Sequence, residues 1–131
     1  MKNALFRRGR KVRAGDTQLY AGEMTMRILR SSPPPTVAVS GRVTIDSSPT
    51  LRSALLDLLR GHKAPILVID LSGVSRLDIS GIATLLEAAK AARGCSVKLR
   101  VVGISGQPRM LSEITELDRV FRATGSEVEF T

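Results

Sequence analysis

Apolar and polar residues along this chain alternate with two periodicities, one typical of strands and one typical of helices. Short runs that are rich in Val, Ile and Leu and that alternate with polar residues predict strands. Longer stretches with apolar residues at i, i+3, i+4 and i+7 predict helices that cover a sheet with one face. The predicted strands are Thr25–Ser31, Thr36–Thr44, Ile66–Leu71, Val97–Val102 and Glu127–Phe130. Gly41 is predicted to form a bulge or a bend within the second of them.

Residues typical of helix ends define three helices. Ser48 is predicted as the N-cap of the first helix, with Pro49 as its first helical residue and Gly61 at its end. The second helix is predicted from Ile79 to Arg93. The third begins at Gly106, and Val120 and Phe121 either continue it or pack as a last turn. Its apolar stripe consists of Met110, Leu111, Ile114 and Leu117.

The order of these elements predicts the architecture. Strands and helices alternate after a leading pair of strands, which implies right-handed crossovers and a mixed sheet. We therefore expect an α/β fold with one domain over residues 24–131, a mixed β-sheet of four to five strands, and helices packed mainly on one face. Residues 1–22 are polar, basic and without periodicity, so they are predicted to form a disordered tail. An alternative is that translation starts at Met24 or Met26.

Composition argues against several classes of protein. The chain has 131 residues, 43% of them apolar, and a formal net charge of +8 that is densest between Arg7 and Arg13. Specific nucleic-acid binding would combine basic side chains with stacking aromatic residues, but aromatic residues make up only 3% of the chain. No apolar run is long enough for a membrane span or a secretory signal. The single cysteine, Cys95, cannot form an internal disulfide, which fits a cytoplasmic protein.

Few residues in the sequence suggest catalysis or metal binding. Neither the P-loop pattern nor the dinucleotide-binding pattern is present. The one histidine, His62, is predicted as a surface residue beyond a helix end, and no ligand cluster has metal-binding spacing with it. Asp70 and Asp78 are most simply a strand-end residue and a helix cap. We therefore expect no enzyme activity, no metal and no cofactor.

The region around Ser80 is the most informative part of the chain. A buried strand and a polar turn are followed by Asp78, which can cap a helix, and by Ser80 in the first helical turn. The free N–H groups at a helix start favour negative charge, so a phosphate on Ser80 should be tolerated by the fold. Gly81 costs about 1 kcal/mol inside a helix, which the close approach of another backbone would explain. These features predict a phosphorylatable serine on a binding surface. The alternatives are an unmodified interaction surface and a serine that only satisfies a backbone N–H.

The segment from Ile69 to Ile82 resembles the signature of the STAS domain of the anti-sigma factor antagonist (anti-anti-sigma factor) family. The residues that carry this resemblance read I-D-L-S-G-V-x-x-L-D-x-S-G-I. The segments Gly41–Arg52 and Gly103–Phe121 resemble the strand–helix junction and the closing segment of the family. The resemblance therefore extends over roughly residues 25–125.

The resemblance implies a regulatory protein. The unphosphorylated protein would bind an anti-sigma factor with serine kinase activity and release a sigma factor. Phosphorylation of Ser80 would end that binding, and a PP2C-type phosphatase would restore it. The implied partner surface consists of Ser75, Arg76, Asp78, Ser80, Gly81 and Thr84. Whether the protein forms a homodimer is left open by the sequence.

Two positions depart from the family pattern. Ile79 replaces the first serine of the D-S-S-G motif, and Thr44 stands where the family often has an aspartate. Asp46, two residues later, could act in its place or could simply cap the first helix, so Thr44 and Asp46 are accessory candidates. The family also includes stand-alone subunits of ABC-type lipid transport complexes, which bind an ATPase. This is the alternative function, and it would give the basic tail a role at an anionic membrane surface.

Overall fold

Seven strands form one sheet in the computed structural model, which describes residues 7–8, 16–30, 33–61 and 64–130. The strands in this part of the chain are β1 (Arg7–Arg8), β2 (Thr17–Ala21), β3 (Met24–Leu29), β4 (Thr36–Val43), β5 (Ile66–Leu77), β6 (Lys98–Ile104) and β7 (Glu127–Phe130). The helices are α1 (Ser48–Gly61), α2 (Ile79–Gly94), α3 (Gly106–Ile114) and α4 (Leu117–Ala123).

The sheet is mixed, and its strands lie side by side in chain order. The pairs from β1 to β4 are antiparallel, whereas β4 to β7 are parallel neighbours. Each parallel pair is joined through the helix layer, by α1, by α2, and by α3 with α4. The predicted mixed α/β architecture is therefore confirmed, with more strands than the four to five expected.

The helices cover one face of the sheet. Alternate residues of the central strands point into the core and are buried, while the residues between them, such as Ala38, Val68 and Arg100, are only partly buried. Leu55 of α1 and Leu85 of α2 belong to the same core. Full burial of such a side chain stabilises the fold by about 1.5–3 kcal/mol. The inward-facing residues of the three central strands are Val37, Val39, Leu67, Ile69, Leu99 and Val101.

The predicted disordered tail is wrong at Arg7–Arg8, which form β1, and over its last third. Residues Thr17–Ala21 form β2, which pairs with β3 through a turn at Gly22 and Glu23. Leu19 and Ala21 alternate with polar residues and are buried. A run of five residues with only these two aliphatic side chains is too short for its period to be recognised without its partner strand. Residues 1–6 and 9–15 of the predicted tail lie outside the described residues.

The polar turn predicted after Leu71 is also wrong. The strand continues to Leu77 because β4 runs beside it, with Ser40 opposite Gly73 and Val43 opposite Leu77. The predicted bulge at Gly41 is confirmed by shifts of register on both sides of it. Gly41 has φ +88°, and a β-carbon there would collide with the backbone oxygen of Glu23.

The third predicted helix is two helices, separated at Thr115 and Glu116. Glu116 has a left-handed backbone conformation with φ 53°, which ends the run before α4 begins. The apolar stripe predicted for this region is half wrong, because Met110 and Ile114 are 61% and 73% exposed. Pro108 and Ser112 occupy the buried face of α3 instead.

Candidate functional site

The candidate site lies where β5 ends and α2 begins. The backbone N–H of Asp78 donates to the Val43 oxygen (3.1 Å), which continues the pairing of β5 with β4 by one residue. Asp78 then has an extended backbone, with φ −108° and ψ −177°, and is the N-cap of α2. The cap predicted at Asp78 is confirmed.

One carboxylate joins two separate segments at this point. Asp78 Oδ1 accepts the Ser80 hydroxyl proton at 2.5 Å and the Gly81 N–H at 3.2 Å. Asp78 Oδ2 accepts the backbone N–H of Ile45 at 3.1 Å. The first turn of α2 and the loop between β4 and α1 are therefore held together by a single side chain.

These hydrogen bonds also determine the charge state of Asp78. Partial burial raises the pKa of its carboxyl, but donors that favour the charged form outweigh this effect. They are the Ser80 hydroxyl and the backbone N–H groups of Gly81, Ile45 and Ser80. The net result is that the pKa of Asp78 lies below its usual value. The group that occupies the positive end of α2 is thus the Asp78 carboxylate.

Ser80 is partly exposed and has a second hydroxyl partner. Its Oγ lies 2.8 Å from Oγ of Ser48, the first residue of α1. Ser48 is only 4% exposed. Ser48 was predicted as an N-cap, but its hydroxyl reaches across to α2. The residue is 32 positions away from Ser80 in the chain. No local pattern could have identified this contact.

Two predicted partner-contact residues are buried and do not lie on this surface. Thr84 is 6% exposed and faces the core from α2. Gly81 is buried, and a β-carbon at this position would overlap Leu77 Cδ1 and come within 3.1 Å of Val43 Cγ1. The close approach that explains Gly81 therefore comes from the protein's own side chains rather than from another backbone.

The remaining predicted residues lie near the surface around this site. Ser75 and Arg76 are exposed at the end of β5, and the Ser75 hydroxyl donates to the Gly41 oxygen (3.2 Å). Thr44 Oγ1 accepts the backbone N–H of Asp46 at 3.3 Å, and Asp46 itself is exposed. The side-chain hydroxyl found next to Ser80 is that of Ser48, not that of the accessory candidate Thr44.

Two exposed isoleucines flank the site, and sequence reasoning did not identify them as a pair. Ile79 in the first turn of α2 is 62% exposed. Ile45 is 73% exposed, and its backbone N–H donates a hydrogen bond to the Asp78 carboxylate. Large apolar side chains that are exposed around a polar site are typical of a surface that binds another molecule.

No group of three or more His, Cys, Asp or Glu residues in the described part of the chain is arranged to hold a metal ion. His62 lies outside the described residues. Among the helices described, none has both the length and the apolar character needed to cross a membrane.

Comparison with known proteins places this architecture among relatives. The family model described as "Mlab, STAS domain" matches residues 26–123. The crystal structure of an anti-sigma factor antagonist from Mycobacterium paratuberculosis is similar to this chain. Its TM-score is 0.60 and its sequence identity 29%, and the match covers 66% of this chain and 73% of that chain. No curated protein matches the sequence.

A second solved structure shares the fold. The anti-sigma factor antagonist SpoIIAA in its unphosphorylated form has a TM-score of 0.50 and 15% identity, and the match covers 69% of this chain and 90% of that chain. The family match spans most of the sequence, and it includes α1, β5 and α2, which build the candidate site. The chain therefore belongs to the STAS domain family.

Proposed function

We propose that this protein is an anti-sigma factor antagonist whose binding is controlled by phosphorylation of Ser80. One observation carries the proposal: a partly exposed serine lies at the start of α2, flanked by two exposed isoleucines. The similarity of this chain to the Mycobacterium paratuberculosis antagonist supports the class of function. The partner is an anti-sigma factor with serine kinase activity, and a PP2C-type phosphatase reverses the modification.

The unmodified surface is suited to protein binding. Ile45 and Ile79 supply apolar area, and Ser75, Arg76 and Ser80 supply polar groups at its edge. Interfaces commonly combine an apolar centre with a polar rim. The protein acts in the cytoplasm as a binding protein and carries out no catalysis of its own.

Phosphorylation would change this surface in two ways. It adds a charge of about −1.5 to −2 beside the Asp78 carboxylate. It also removes the Ser80 proton that Asp78 now accepts. The earlier expectation that the helix start accommodates a phosphate needs revision, because Asp78 already occupies that position. Repulsion between the two anions would disturb the start of α2 and the Ile45 loop together.

The test compares Ser80→Ala and Ser80→Asp with the wild type. A kinase-type anti-sigma factor from the same organism is purified as the partner. The Kd of each variant for this partner is measured by calorimetry. Ser80→Ala should bind within about threefold of wild type, whereas Ser80→Asp and the phosphorylated protein should bind at least about tenfold more weakly, which is about 1.4 kcal/mol. Ser53→Asp, which adds the same charge at an exposed position of α1, should retain binding.

Mass spectrometry should find phosphate on Ser80 after incubation with the partner and ATP. Equal binding of all variants, or phosphate only elsewhere, would contradict the proposal.

A second candidate is the STAS subunit of an ABC-type lipid transport complex, bound to its ATPase. The observation that favours it is the exposed isoleucine at position 79, where the antagonist motif has a hydroxyl. An apolar residue suits a permanent interface better than a regulated one. In that case an ATPase would copurify with the protein, and the complex would form without any phosphorylation of Ser80.

A further inference from the structure

The hydrogen bonds at Ser80 have defined directions. The Asp78 carboxylate can only accept, so the single Ser80 proton lies in the bond to Asp78 Oδ1. The 2.8 Å contact between Ser48 Oγ and Ser80 Oγ must therefore use the proton of Ser48. The three groups form one chain of hydrogen bonds, in which Ser48 donates to Ser80 and Ser80 donates to the Asp78 carboxylate.

We propose that Ser48 is the positioning residue that holds the Ser80 hydroxyl ready to accept a phosphoryl group. This inference rests on the proposed function of Ser80. A hydroxyl oxygen has one proton and two lone pairs. With its proton directed to Asp78 and one lone pair accepting from Ser48, Ser80 Oγ retains one lone pair for reaction.

Ser48 acts from inside the protein. It is 4% exposed, so a docked partner reaches Ser80 without touching Ser48. The distance between the two hydroxyls is maintained by the packing of α1 on α2, where Leu51, Leu55 and Leu85 are buried. An ion pair between Arg52 and Glu87, with N–O distances of 2.8 and 2.5 Å, also joins the two helices.

Ser48, Ser80 and Asp78 each have a role in the phosphoryl transfer. Ser80 Oγ bonds to the γ-phosphorus of the kinase's ATP, and the bond from that phosphorus to the β,γ-bridging oxygen breaks. ADP leaves, and the Ser80 proton passes to Asp78, which releases it to solvent and is again a carboxylate beside the new phosphate. Phosphoryl transfer depends mainly on the position of the attacking oxygen. A Ser80 hydroxyl without Ser48 could rotate and would face the phosphorus less often.

The first test needs no kinase. A Ser80→Cys, Cys95→Ser protein carries a single thiol at the site, and its pKa is read from the pH dependence of iodoacetamide labelling. The Ser48 hydroxyl should stabilise the thiolate, so adding Ser48→Ala should raise the pKa of the thiol by about one unit. Ser48→Thr, which keeps the hydroxyl, should restore the original value.

The matched control is Ser47→Ala in the same background. The Ser47 hydroxyl donates to the Arg42 oxygen and accepts from the Thr44 N–H, and it belongs to the same loop. Its loss should leave the pKa of the thiol unchanged. An unchanged pKa in Ser48→Ala, or an equal shift in Ser47→Ala, would overturn the inference. Thermal unfolding of each variant establishes that it is folded before labelling.

The second test uses the purified kinase partner and the otherwise wild-type chain. Ser48→Ala should lower kcat for phosphorylation about tenfold and leave KM unchanged, because Ser48 does not contact the partner. A change in KM alone would assign Ser48 to docking and overturn the inference. If wild-type Ser80 accepts no phosphate, the proposed function fails, and the thiol measurement still decides whether Ser48 positions residue 80.

Discussion

At the scale of single residues, the Asp78 carboxylate connects two segments that are far apart in sequence. It accepts from Gly81 in α2 and from Ile45, which is 33 positions earlier in the chain. Removing this side chain takes the carboxylate acceptor from both donors, and the Gly81 N–H then keeps only the Asp78 backbone oxygen at 3.0 Å. The contribution of Asp78 to stability should therefore exceed that of a simple surface aspartate.

We predict that Asp78→Ala lowers the free energy of unfolding by about 1–2 kcal/mol, as expected for the loss of a helix cap. The matched control is Asp46→Ala, which removes an exposed carboxylate from the neighbouring loop and should change stability by less than about 0.5 kcal/mol. Urea unfolding followed by circular dichroism measures both. Equal losses in the two variants would mean that Asp78 does not join the segments.

The low pKa of Asp78 predicts how this contribution depends on pH. A carboxyl whose folded pKa lies below its unfolded value of about 3.9 stabilises the fold above that pH. This stabilisation is lost as the pH falls through the folded pKa. The difference in unfolding free energy between wild type and Asp78→Asn should therefore be full at pH 7 and smaller at pH 2.5. A difference that is constant or larger at low pH would show that the carboxylate charge does not stabilise the cap.

At the scale of elements, α2 lies close against the end of the sheet through Gly81. Leu77 and Val43 occupy the space that a β-carbon would need, and both are buried. The start of the helix can therefore approach the ends of β4 and β5 only with glycine at this position. This approach brings Ser80 near Ser48.

We predict that Gly81→Ala destabilises the fold by about 1–2 kcal/mol, because the strain of overpacking exceeds the gain in helix propensity. Gly94→Ala is the matched control at the other end of α2, where nothing lies within 4 Å of the added carbon. That variant should be neutral or more stable by up to about 1 kcal/mol. Thermal unfolding distinguishes the two, and a stabilised Gly81→Ala would contradict the packing described here.

At the scale of the whole molecule, the antiparallel side of the sheet depends on β2. Leu19 and Ala21 are buried in the common core, and β2 pairs with β3 along its entire length. A chain that begins at Met24 would lack this strand and expose the edge of β3. Exposed edges of this kind promote aggregation.

We predict that a protein starting at Met24 is less stable than one starting at Asp16 by about 3 kcal/mol or more, since the loss of one buried leucine alone costs about 2–5 kcal/mol. Thermal unfolding and size-exclusion chromatography would compare the two. Equal stability would show that β2 contributes little and that the domain begins at residue 24, as the periodicity indicates.

The local part of the site was predictable from the sequence. Asp78 and Ser80 lie within one helical turn, and capping acts over two or three residues. Ser48 and Ile45 were not predictable as members of the site, because their contacts cross between elements. The exposure of Met110 and Ile114 was not predictable either, since periodicity identifies an apolar face but not which face a neighbouring element covers.

By itself, the sequence determined the order of elements from β3 to the start of α3, the mixed sheet and the start of α2, because period and capping are local properties. Only the tertiary structure decided that β5 continues beside β4, that Gly81 and Thr84 are buried, and that Ser48 reaches Ser80. These features depend on how buried side chains of separate elements pack. The residues that meet there are more than thirty positions apart, which is beyond the range of any local pattern.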